Sequence, residues 1–148
     1  QGELMRWAAE AALFPLALLP TTKGETIKWL PSADGDDNSA TLELEHHTAT
    51  ARMIFRFDAD THLVTSIEAK RPRAVDGTKY ELTLWKGFFY DFELHGGLLV
   101  PTKMEVGWQL DEDEPLEIYF KGTNHNFIYL MNGHPHHQAC DVKHDHVE

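Results

Sequence analysis

The run KYELTLWKGFFYDFELHGGLLVPTKMEVGWQL, residues 79–110, constrains this chain more than any other stretch. Apolar and polar residues alternate along most of it, and a period of two sends successive side chains to opposite faces of an extended strand. Tyr80, Leu82 and Leu84 share one parity; Phe88, Tyr90, Phe92 and Leu94 form a second set after Gly87, and Met104, Val106, Trp108 and Leu110 a third. A glycine inside a strand pattern marks a bulge or sharp bend. Gly87 is therefore predicted to bend the strand and leave Phe88, Tyr90 and Phe92 facing inward with Trp85 and Trp108.

The same alternation recurs in ETIKWLP, ATLELEHH, TARMIFRFDAD, HLVTSIEAKRPR, LEIYFKG and NFIYLMNG. Met53, Phe55 and Phe57 should share a face, with Arg52, Ile54 and Arg56 on the other. PSADGDDNS reads as an acidic loop and VDGT as an Asp-Gly turn. Before Pro20 the spacing is helical. Leu4, Ala8, Ala11 and Ala12 recur beside Trp7, with Arg6 and Glu10 as an i,i+4 pair, which predicts an amphipathic helix over residues 2–14. Pro15 then suits the first turn of a short helix that Pro20 ends. The predicted class is α+β, mainly β: an N-terminal helix followed by a strongly curved antiparallel sheet or half-barrel. One short helix cannot cover both faces of such a sheet unless the sheet curls or pairs. Residues 1–130 should form this single domain and residues 131–148 a histidine-rich tail.

Charge narrows the partners. Against 24 acidic residues stand 13 Lys and Arg, a formal charge of −11, which disfavours nucleic acid and anionic lipid surfaces. Arg52, Arg56, Lys70, Arg71 and Arg73 could still gather a small anion. The longest apolar stretch, WAAEAALFPLALLP, is broken by Glu10 and Pro15 and is too short for about 30 Å of hydrocarbon, so no transmembrane segment is expected. Cys140 is alone and cannot form a disulfide within the chain. These features suit a soluble protein, cytoplasmic or extracytoplasmic.

The ending NGHPHHQACDVKHDHVE carries His134, His136, His137 and Cys140, ligand types that suit zinc or copper. Their spacing matches neither a Cys/His finger nor HExxH, and the terminal position favours a solvated tail. A hydrolase or metal-dependent enzyme built on this cluster is one alternative. Ser32, Ser39 and Ser66 lie in no GxSxG motif. Asp91, Glu93 and Glu105 are candidate acid/base groups among many other carboxylates.

Over GELMRWAAEAALFPLALLP, IKWLP, SIEAKRPR, LWKGFFYDFELHGGLLVPTKMEVGWQL and IYFKG, in that order, the chain resembles the C-terminal portion of a longer family of uncharacterised bacterial proteins. The resemblance covers roughly residues 2–122. Trp29, Arg71, Trp85, Gly87, Gly97, Pro101 and Trp108 fall on the family's characteristic positions, whereas Leu84 replaces a proline and Phe92 a tyrosine. The fold this implies is that of lipoprotein carriers, a half-barrel wrapped around helices and enclosing an apolar cavity. The expected function is binding of an apolar or lipid-like small molecule without catalysis. Trp29, Arg71, Trp85, Phe88, Tyr90, Phe92 and Trp108 would form the site, with Arg71 orienting an anionic headgroup. Without the family's N-terminal half, uncovered sheet edges should pair two copies into a homodimer. A structural, self-associating module is the other alternative.

Overall fold

The computed structural model describes residues 2–19, 25–32, 34–131 and 134–135. Helix α1 (Gly2–Glu10) is followed by two 3-10 turns, Ala11–Leu13 and Pro15–Leu18, the second opened by the fixed φ of Pro15. The alternating segments then form β1 (Glu25–Pro31), β2 (Ser39–His46), β3 (Ala49–Phe57), β4 (Val64–Ala74), β5 (Tyr80–His95), β6 (Leu98–Gln109) and β7 (Glu117–Thr123). Every pairing is antiparallel and joins strands adjacent in sequence, so the order across the sheet is β1 to β7. Two-residue strands β8 (Leu130–Met131) and β9 (His134–Pro135) pair only with each other.

One face of the sheet holds the core. Leu42, Leu44, Met53, Phe55 and Ile67 are at 0–1% exposure, and Met5, Ala8, Ala9 and Ala12 of the N-terminal segment are buried with them. Alanines on the inner side of α1 let its backbone lie close over β2, β3 and β4. As the alternation predicts, Met53, Phe55 and Phe57 turn toward this layer, and Met104, Val106 and Trp108 pack against its far side.

The opposite face needs no second layer because charge lines it. Glu43, buried between neighbouring strands, takes the Arg52 guanidinium at 2.7 Å and Lys28 at 3.4 Å. Arg56 bonds Asp34 at 2.7 Å and Glu68 at 2.8 Å, and Glu105 pairs with Lys121 at 2.7 Å. The buried carboxylate is tolerable because two cations offset its desolvation.

The expected half-barrel, and with it the lipoprotein-carrier-like architecture, must be corrected. The sheet is open and not strongly curved. Among the described residues β1 pairs only with β2 and β7 only with β6. The predicted bend at Gly87 is absent: the residue sits in unbroken register between Ile67 and Val106. Register shifts occur instead at Arg56/Phe57 and Val106/Gly107. Gly87 is small for a different reason. The Trp85 side chain folds back across it, so that a Cβ there would stand 2.9 Å from the indole Cη2.

Candidate functional site

Between the N-terminal segment and strands β4 to β7 lies a cavity of about 450 Å³. Arg71 comes from β4, Trp85 and Phe89 from β5, Met104 and Val106 from β6, Tyr119 and Phe120 from β7, and Asn124 from just beyond it. Arg6, Ala9, Glu10 and Leu13 complete the wall from above. The register shift explains how two consecutive residues of β7 reach one cavity. Val106 faces Phe120 and Gly107 faces Ile118, so Tyr119 is an extra residue on β7, and a bulge of this kind re-aims side chains.

Trp85 is the floor and is held in several ways. Its Nε1–H donates to the Tyr119 hydroxyl at 2.8 Å, and Trp108 stacks on the Tyr119 ring with centroids 6.0 Å apart. The Arg71 guanidinium lies 4.9 Å from the indole centroid, in cation–π geometry. Burial pushes the Arg71 pKa below its ordinary value, yet an arginine stays charged at any physiological pH. Arg71 Nε and Asn124 Nδ2 are both buried and have no hydrogen-bond partner among the described residues. Arg6, in contrast, is bonded to Glu3 at 2.8 Å and to Glu10 at 3.6 Å along α1.

A second cavity of about 290 Å³ lies under the Pro15–Leu18 turn, lined by Trp29, Phe55, Phe57, Phe92 and Leu99 among others. Trp29 donates from Nε1 to the Leu18 carbonyl at 3.3 Å and meets Phe55 edge-on at 5.0 Å.

The expected site residues therefore separate. Arg71 and Trp85 line the first cavity, Trp108 backs it through Tyr119, and Trp29 and Phe92 line the second. Phe88 and Tyr90 lie on the opposite face, because without a bulge at Gly87 the parity of Trp85 continues through Phe89. Phe88 pairs across to Ser66 and Glu105. Partial burial, and then the charge of Glu105, raise the Tyr90 hydroxyl pKa. Phe92 returns to the core side beyond Asp91, whose left-handed φ of 52° resets the alternation and whose carbonyl accepts from the Thr102 hydroxyl at 2.7 Å.

His136, His137 and Cys140 lie outside the described residues, and of His134 only the backbone pairing in β9 is described. Among the described residues no group of three or more His, Cys, Asp or Glu side chains is arranged to hold a metal. Asp91, Glu93 and Glu105 do not converge: they pair with Lys103, His95 and Lys121 in turn.

A model described as a family of unknown function (DUF6544) matches residues 1–122. The chain belongs to this family. Its DUF6544 segment contains every residue lining the larger cavity except Asn124. No curated protein and no solved structure matches the chain. Among the described residues, no helix is long and apolar enough to cross a membrane.

Proposed function

We propose that this DUF6544 chain binds an apolar or lipid-like small molecule in the cavity between its N-terminal segment and β4 to β7, without carrying out chemistry on it. The observation that carries this reading is the cavity itself. At about 450 Å³ it is the size of a small-molecule site, its walls are mostly apolar, and a few polar groups converge on it. Its floor is fixed by the bond between Trp85 and Tyr119, so the site is formed before a ligand arrives. Titration with Nile red, an uncharged dye that brightens in apolar surroundings, tests it. The native protein should bind the dye saturably, and Val106→Phe, which places a ring inside the cavity, should weaken binding at least several-fold while the unfolding midpoint holds. Equal binding by both proteins would refute the assignment.

We also propose that two copies pair along β7. Its outer edge has no partner strand among the described residues, and Tyr119 and Phe120 of β7 are exposed. Sedimentation equilibrium should show a dimer; a monomer at micromolar concentration counts against it.

A further inference from the structure

On the charged face Lys28, Arg52, Arg56, Lys86 and Lys121 each reach a carboxylate. Arg71 is different. In a chain where acids outnumber bases 24 to 13, this half-buried arginine has no ion-pair partner among the described residues. Its guanidinium lies over Trp85 in the wall of the cavity. Asn124, on the same cavity, likewise holds a buried amide N–H without an acceptor. Both atoms are shielded from bulk water and both residues line the cavity, so a ligand held there is the natural partner for them.

Resting on the cavity reading above, we infer that the ligand is an apolar monocarboxylate, a fatty-acid-like anion whose carboxylate is bound by Arg71 together with Asn124. The donor set selects this class. Both orphaned groups are N–H donors, and an ionised carboxylate is acceptor-only with two oxygens to offer. An amine would meet the Arg71 charge. A phosphate monoester carries close to two negative charges, but the second cation on the cavity, Arg6, is already engaged by Glu3 and Glu10, and the Glu10 carboxylate itself lines the wall. The apolar walls take the hydrocarbon, so affinity should rise about fourfold per methylene until the cavity is filled.

Calorimetric titration of the full chain with decanoate, decanol, decyltrimethylammonium and decyl phosphate tests the inference. Decanoate should bind about tenfold to a hundredfold tighter than decanol and tighter than the other two. Arg71→Met should remove that advantage while leaving the affinity for decanol unchanged, Arg71→Lys should restore part of it, and Asn124→Leu should reduce it several-fold. Should Arg71→Met fail to fold, Asn124→Leu decides: an undiminished decanoate advantage in that variant overturns the inference. Equal affinities for decanoate and decanol, or a preference for decyl phosphate or the ammonium, overturn the carboxylate and leave the apolar cavity standing. If none of the four binds, the cavity reading fails as well.

Discussion

Alanine at Gly122, Gly87 and Gly107 should destabilise the fold in that ascending order. None of the three has a left-handed backbone, so the difference lies in what a Cβ would meet. At Gly122 it meets the Phe120 ring at 2.9 Å and Met104 Cγ at 3.2 Å, but Phe120 is 48% exposed and can swing outward. Removing a strand glycine gains about 0.5–1 kcal/mol, so Gly122→Ala should change stability by no more than about 0.5 kcal/mol. At Gly87 the obstacle is Trp85 Cη2 at 2.9 Å, on a ring 3% exposed and tethered by Tyr119 and Arg71. Overpacking costs about 1–3 kcal/mol, and loosening the hydrogen bond and the cation–π contact adds about 1 kcal/mol. After the glycine gain the net loss is about 2 kcal/mol. At Gly107 the Cβ would stand 2.6 Å from the Glu117 carbonyl oxygen, backbone of the adjoining strand that no rotamer can move. About 3 kcal/mol or more is expected, with disruption of the β6–β7 pairing. Urea unfolding followed by tryptophan emission and by circular dichroism measures all three, with an unchanged slope as the check that only stability moved. A neutral Gly87→Ala, or a Gly122→Ala costlier than Gly87→Ala, would refute the claim that Trp85 is held over Gly87.

Tyr119→Phe removes the acceptor of the Trp85 indole N–H and should cost about 1 kcal/mol in urea unfolding; no change would mean that water takes the place of the hydroxyl. The Asp34 carboxyl is held well below the usual range by the Ser32 hydroxyl and then by Arg56, and the Glu43 carboxyl is lowered chiefly by Arg52. Both folded pKa values are depressed, so their contribution to stability is present above about pH 4 and is lost as the pH falls further. The melting temperature of the native protein should drop over that range, and more shallowly in Asp34→Asn and Glu43→Gln; identical slopes would disprove the coupling. Tyr129→Phe breaks a 3.0 Å bond to the Leu13 carbonyl. Hydrogen exchange over residues 124–131 should accelerate while global stability changes by about 1 kcal/mol or less, and unaltered exchange would show that the bond does not hold this segment.

Alternation alone was enough to read β1 to β7 and the inner face of β3, because period two is a local property of the chain, but NFIYLMNG alternates as well and only its Leu130–Met131 forms a strand. Gly87 shows where that reading stops. A strand glycine signals either a bulge or a close approach, and the two differ in which face every later residue takes. The approach here is made by a side chain two residues back, a rotamer choice that spacing does not encode. Taking it for a bend placed Phe88 and Tyr90 on the wrong side relative to Trp85, whereas the curvature that the open sheet lacks came with the family resemblance. The bulge at Tyr119 lies opposite Gly107 rather than at Gly87, and the resetting of parity at Asp91 occurs in a residue type that adopts left-handed φ without announcing it. Arg71 and Trp85, which the family resemblance singled out, both line the larger cavity. Asn124 was not singled out: an asparagine after a strand looks like turn chemistry, and only its buried, unpartnered amide on Arg71's cavity makes it a candidate binding group.

The strand order also says something about how the molecule is assembled. Since each strand pairs with the next, every ladder can close over a short loop, and the sheet can grow one hairpin at a time with little loop entropy to overcome at any step. The bond from Tyr129 to Leu13 is the exception, spanning 116 residues, far more than any other side-chain hydrogen bond among the described residues. It joins the two ends of the folding sequence across the finished sheet. Its formation is therefore expected late, with the segment after β7 closing as a latch once helix and strands are in place.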